Sequence, residues 1–223
     1  MKLAGLKNFM VKKKKSSQRF DAPVDETMNS REAILSASLQ AFARYGYDGA
    51  SMPQIAKLAQ VAPPLIHYYY GSKDNLWRET IEHSLGKLRR ETIAIRTATR
   101  ALAPLDQLRA MLQAHAHFAA HWPDHFFMII AEARSDGDRY AWVHENYTGI
   151  LFDDVVAILR EARERGQIRD TNVEQLALML IGGLLLYFTV YPARPQEAER
   201  DKLADEYTEM MFDLLRGGIL AQS

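Results

Sequence analysis

The chain contains no cysteine. That single absence excludes a disulfide framework, a thiolate metal site and a cysteine nucleophile. No apolar run is long enough to span a bilayer. The longest, "LALMLIGGLLLYFTVY" from Leu176 to Tyr191, falls short of the roughly 20 residues a transmembrane helix needs and runs into the polar "PARPQEAERDK". It reads as a buried helix. The N-terminal lysines are not followed by an apolar core and a small-residue cleavage site, so a cytoplasmic protein with no membrane partner is expected. A GxSxG elbow, a phosphate-cradling glycine loop and a paired His–carboxylate motif are all missing, which argues against an enzyme. Nothing in the sequence calls for a cofactor. Strict apolar–polar alternation is missing too, and with it any convincing strand.

What is present is helical pattern and charge. The 223 residues carry 28 basic and 28 acidic side chains, but seven of the basic ones and none of the acidic ones fall within residues 1–20. A basic arm therefore precedes an acidic body. Such an arm is either a solvated tail or a contact to nucleic-acid phosphates. Met28, just before the first strong helical pattern, is an alternative start of translation.

From Asn29 the apolar residues Ile34, Leu35, Ala41, Phe42 and Tyr45 recur at helical spacing, and Gly46 supplies a stop. Asn29 with Glu32 makes a capping-box start, which predicts a first helix over about 30–45. Ser51 with Gln54 repeats the signal, and Pro53 falls in the first turn, where its missing N–H costs nothing. A helix of about eight residues follows, then "QVA", a double proline, one to two turns of helix, and a new start at Ser72. Helices are further predicted to about 97, over about 104–121, from Pro123, over 139–165, 172–190 and 196–217. The expected architecture is all-α, with about nine helices.

Two short helices joined by a tight turn and backed by a supporting helix form a helix-turn-helix, whose second helix enters the DNA major groove. Residue by residue, "ILSASLQAFARYGYDGASMPQIAKLAQVAPPLIHYYYGSKDNLWRETI" resembles the TetR family (TetR/AcrR type) of bacterial transcriptional regulators. The likeness rests on Ala41, Phe42 and Gly46, on Ile55, Ala56 and Val61, and on Tyr70, Ser72, Lys73 and Leu76, across about 50 residues. It implies a flexible arm over 1–28, a DNA-binding domain over 29–76 and an effector-binding and dimerisation domain over 77–223. It further implies a homodimer, a palindromic or near-palindromic double-stranded DNA operator, a small-molecule effector and, by family habit, repression. A helical adaptor or membrane-surface protein that binds no DNA is the competing class, with an enzyme behind it.

The resemblance places Ser51, Gln54, Lys57, Gln60, Ala62, Pro63, Pro64, Leu65, His67, Tyr68, Tyr69 and Lys73 at the DNA. Lys73 and Tyr69 fall where the family contacts phosphate, and His67 stands in place of the usual Tyr. Tyr70 matches a buried aromatic. Two departures matter: Gln60 replaces the usual turn glycine, and Ala62 replaces the serine that caps the reading helix. An uncapped helix start costs about 1 kcal/mol. Pro63 and Pro64 answer this, because neither has an N–H to leave unsatisfied and both hold φ near the helical value. They also leave the leading turn without donors, so it can only pack against thymine methyls. Polar readout is then expected from His67 and from Gln54 or Gln60, with Lys57, Tyr69 and Lys73 on the backbone.

In the body, His115, His117, His121 and His125 crowd into eleven residues. His117 and His121 have a spacing that can ligate zinc, but no HExxH frames them, and a polar lining is the preferred reading. By the same resemblance the effector pocket is expected to use His117, Phe118, His121, Trp122, Phe127, Trp142 and Tyr147, and to take an apolar or aromatic ligand. Leu178, Gly182, Gly183 and Leu186, with Met210 and Leu214, are expected at the dimer interface, where small residues permit close helix approach.

Overall fold

The computed structural model describes residues 26–133, 137–190 and 197–218. Of the arm expected over 1–28, residues 1–25 lie outside the described residues and 26–28 begin the first helix. No strand occurs among the described residues, which fold as a succession of helices.

The first helix, α1 (Glu26–Gly49), begins before Asn29, so Asn29 lies inside it rather than capping it. Gly46 interrupts it at φ 68°, ψ 176°, a backbone that a side chain would resist, and only a short turn follows. Ser51 caps α2 (Met52–Ala59), accepting a hydrogen bond from the Gln54 N–H at 3.3 Å. The reading helix, α3 (Pro63–Tyr70), starts at Ala62 with no side-chain cap. Its first available N–H, on Leu65, donates to the Ala62 carbonyl at 2.9 Å. The two prolines thus remove the donors that a serine would otherwise have served.

Ser72 caps α4 (Lys73–Thr99) by accepting from the Asn75 N–H. Then come α5 (Pro104–His121) and α6 (Pro123–Ala133), each opened by a proline. The long helix expected over 139–165 is divided instead. A π-helical turn, His144–Thr148, separates α7 (Asp138–Val143) from α8 (Gly149–Glu164). The Gly149 N–H reaches back to the His144 carbonyl, and a Cβ on Gly149 would sit 2.7 Å from that oxygen. Only glycine lets the wide turn close. The described residues close with α9 (Val173–Val190), a short 3-10 turn and α10 (Arg200–Gly218).

Two apolar cores form. The body core joins α5, α8, α9 and α10 through residues such as Leu108, Phe118, Leu159, Leu180 and Phe212. The head core gathers Ile34, Phe42, Ile55, Ile66 and Tyr70, but it does not stop at Leu76. Trp77, Ile81 and Leu85 of α4 belong to it, as do Met128 of α6, Val143 of α7 and Tyr147. Helix α6 serves both cores, with Phe126 in the body, Met128 in the head and Ile129 packed against each. Tyr45, expected on the apolar stripe, is 43% exposed because the stripe turns away from the core at the end of the helix.

Candidate DNA-reading face and effector cavity

Helix α3 is held by one edge. Ile66 and Tyr70, four apart, are buried in the head core, and the Tyr70 hydroxyl donates to the Arg31 carbonyl at 3.3 Å. Burial raises the Tyr70 pKa, so the phenol keeps its proton and remains a donor. On the other side Pro63, Pro64, His67 and Tyr68 are exposed, Tyr68 by 81%, while Leu65 and Tyr69 are half-buried. Tyr69 lies edge-on to both neighbouring tyrosines, and the Arg31 guanidinium sits 5.8 Å from its ring.

The His67 Nδ1 lies 3.2 Å from the Gly71 carbonyl. A carbonyl can only accept, so Nδ1 carries the hydrogen, and in the neutral ring Nε2 is left as an acceptor. Gly71 permits the turn with φ 70°, and the Asn75 amide secures it by donating to the Tyr70 carbonyl. Lys73 leans back toward α1: its Nζ is 4.5 Å from the Tyr47 ring centroid and 3.5 Å from the Asp48 carbonyl. Ser51, Lys57 and Gln60 are exposed beside α3 and Gln54 is half-buried. Gln60 adopts φ 56°, ψ 38°, the left-handed region that a glycine would occupy without strain.

The second feature is a cavity of about 780 Å³ between head and body. Of the residues expected there, Phe118, His121, Trp122 and Phe127 line it. Trp142 and Tyr147 do not: they complete a file of rings that runs from the head into the body. Phe42 stacks on Tyr47, Tyr47 meets Trp77, Trp77 meets Trp142 and Trp142 meets Tyr147, at centroid separations of 5.7–6.3 Å. The Tyr147 hydroxyl donates to the Glu82 carboxylate, and burial with that bond raises its pKa. His117 is also elsewhere. It lies between Asp205 and Asp201 of α10, at 3.0 and 3.2 Å, and ties α5 to α10. No group of three or more His, Asp or Glu among the described residues is arranged to hold a metal ion.

His125 joins the cavity wall. Its Nδ1 is 3.2 Å from the Ser84 carbonyl and 2.7 Å from the Ser84 hydroxyl, and burial pulls its pKa down to about 4. The remaining wall comes from residues that sequence reasoning missed. Helix α4 contributes His83, Lys87 and Arg90, α10 contributes Arg200, and α1 contributes Ser36, Leu39 and Gln40. The Lys87 Nζ lies 3.9 Å over the Trp122 ring. The spacing 83, 87, 90 is a single helical face, which was visible but reads alone as a solvated stripe.

At the expected dimer face, Leu178, Leu186 and Leu214 are 62%, 56% and 66% exposed, and Met210 is 45% exposed. Gly182 lies on the line from Leu178 to Leu186, and a Cβ there would meet nothing. Gly183 differs: a Cβ would come within 3.3 Å of the Tyr207 hydroxyl in the same chain, so its smallness serves the packing of α10 on α9.

An exposed reading helix held by its buried edge, with the short helix α2 before it and α1 behind, is a helix-turn-helix arrangement. Residues 34–80 match the family model described as "Bacterial regulatory proteins, tetR family". The chain is 36% identical over 83 residues to the HTH-type transcriptional regulator BetI of Rhizobium meliloti (strain 1021). That match covers 37% of this chain and only 40% of the relative. It is 26% identical over 163 residues to the HTH-type transcriptional repressor NicS of Pseudomonas putida, covering 71% and 75% of the two chains. Its fold is shared with AibR, solved in complex with isovaleryl coenzyme A and operator DNA, at a TM-score of 0.67 and 17% identity over 81% of this chain and 97% of that one. Residues 34–80 thus carry the DNA-binding segment described for the tetR family of bacterial regulatory proteins, and the relatives matched are named as transcriptional regulators. No described helix is long and apolar enough to cross a membrane.

Proposed function

We propose that the protein is a cytoplasmic, homodimeric repressor that binds a near-palindromic operator and leaves it when a small, largely apolar or aromatic ligand enters the body. The observation that carries this reading is the presentation of α3: Ile66 and Tyr70 are buried while Pro63, Pro64, His67 and Tyr68 face outward. The NicS relative is named a repressor, and AibR was solved with both a ligand and operator DNA. Both points support the sign and the logic proposed here.

On this reading the leading turn of α3 reads by shape and by contact with thymine methyls. His67, accepting through Nε2, takes a hydrogen bond from the amino group of adenine or cytosine. Lys57, Tyr69 and Lys73 contact the backbone, with Ser51, Gln54 and Gln60 at the flank. The functional division follows the sequence, with a basic arm over 1–28, a reading head over 29–76 and an effector and dimer body over 77–223. Leu178, Gly182, Leu186, Met210 and Leu214 supply the two-fold contact, because a row of bare leucines on paired terminal helices needs cover.

Binding-site selection with the purified protein tests the reading. Paired half-sites with recurrent T positions are expected, and half-sites dominated by G·C pairs with no invariant T would sink the proposed readout. Salt-dependent binding to the DNA upstream of its own gene, set against binding to anionic vesicles, separates a regulator from a membrane-surface protein. Equilibrium sedimentation showing a monomer at micromolar concentration would remove the dimer.

A further inference from the structure

We infer that the cavity between head and body is built for an organic anion with an apolar body, its carboxylate or phosphate held by the basic ridge of α4 and its hydrocarbon laid on the aromatic wall. The inference rests on the ligand-responsive reading above and specifies the class of ligand.

The cavity has two kinds of lining. His83, Lys87 and Arg90 stand at four- and three-residue intervals on α4, and Arg200 lines it from the start of α10. Phe118, Trp122, Phe127 and Phe188 supply apolar surface, with the Lys87 ammonium resting on the Trp122 ring. Among the described residues lining the cavity Asp124 is the one acid, and it already has an interaction of its own. The first residues of two helices also line the space, Pro123 of α6 and Arg200 of α10, each helix with an acid in its first turn, Asp124 and Asp201. His125 is held neutral by burial, with Nδ1 directed at Ser84, so it adds polarity without charge.

An aromatic cavity could instead take a quaternary ammonium through its ring faces. Here the Trp122 face already carries the Lys87 ammonium at 3.9 Å, and Arg90 and Arg200 would repel a second cation. A neutral ligand would make no charged contact with them. An anion meets them, and in a partly enclosed site each such charge-assisted contact is stronger than at an open surface. The same cavity touches Ser36, Leu39 and Gln40 of α1, the helix whose Ile34 and Phe42 form the head core. An occupant therefore presses on the reading head directly.

The test is calorimetric titration of the full chain, without DNA, using octanoate, octyl phosphate, octanol and octyltrimethylammonium. At least one of the two anions is expected to bind about tenfold or more tighter than octanol, with the cation weakest. The comparison of octanoate with octyl phosphate decides which acid group the ridge accepts. Lys87→Gln and Arg90→Gln should each weaken the preferred anion at least several-fold and leave octanol unchanged, with melting curves confirming that they fold. Lys202→Gln, a charge change outside the cavity, should change nothing. Equal or tighter binding of the cation, no anion binding below millimolar concentration, or full anion affinity in Arg90→Gln would overturn the inference. A chain that binds the anion but no operator would sink the regulator reading alone. A chain that binds operator but neither anion would sink this inference alone.

Discussion

The indole N–H of Trp77, in the core of the reading head, donates to the carboxylate of Glu132, on α6 of the body, at 3.1 Å. Glu132 is 2% exposed, and its other oxygen accepts from Arg139 at 3.2 Å. Arg139 in turn lies 3.9 Å over the Tyr47 ring. One buried carboxylate thus fastens α4, α6 and α7 to the turn that follows Gly46. Replacing it strands both an indole N–H and a guanidinium. Glu132→Ala is expected to lose about 3 kcal/mol of unfolding free energy, and Glu132→Gln less, because the amide oxygen can still accept. Urea denaturation of the two variants checks the order.

Gln60 holds a left-handed backbone without being glycine. The strain of that conformation is about 1–2 kcal/mol, partly offset in Gln60→Gly by the greater freedom of glycine in the unfolded chain. The expected net is a stabilisation of up to about 1 kcal/mol, seen as a melting temperature a few degrees higher. A fall would mean that the Gln60 side chain makes a contact worth more than the strain.

Acid should weaken the fold through His125. Burial lowers its pKa to about 4 in the folded chain, against 6.5 ordinarily. Between those values the unfolded chain binds a proton that the folded chain refuses. The stabilisation is complete above pH 6.5 and is lost as pH falls, reaching about 3 kcal/mol near pH 4. His115, fully buried with Nδ1 donating to the Met111 carbonyl, acts in the same direction. In His125→Asn, which keeps a donor for Ser84, denaturation midpoints should fall less steeply across that window. An unchanged slope would remove His125 as the cause.

Two substitutions in the head should fail differently. His67→Ala should relax selection at one base pair, at about 1–3 kcal/mol of discrimination, while leaving the salt slope of binding intact. Lys57→Ala should weaken all DNA alike and reduce that slope by about 1. Titrations of operator and scrambled duplexes at several salt concentrations separate the two. If His67→Ala weakened both duplexes equally, His67 would be a backbone contact.

What could be read from the sequence was local. The caps at Ser51 and Ser72, the proline start of α3 and the buried edge Ile66–Tyr70 depend on neighbours a few residues away, and the residue types state them directly. Trp142 and Tyr147 could not be placed that way. Their helical spacing suits either core, and only the π turn at Gly149, a departure from that spacing, delivers them to the head side. His117 was misplaced for the same reason, since its partners Asp201 and Asp205 lie more than eighty residues on. The ridge of His83, Lys87 and Arg90 takes on meaning only when Arg200 and Trp122, from distant helices, line the same cavity.

Helix α1 holds the reading helix through the Arg31 carbonyl, which accepts from Tyr70, and lines the cavity through Ser36, Leu39 and Gln40, while Met128 of the body fills a place in the head core. The head is therefore not a portable module. Cut after Leu85, so as to keep the head core's share of α4, and moved onto another protein, it would arrive with Trp77 lacking its carboxylate and with the seat of Met128 open. A chimera that exchanges ligand control between relatives has its natural seam elsewhere, on the far side of α6, where the donor's sensing helices can travel with the surface they press upon.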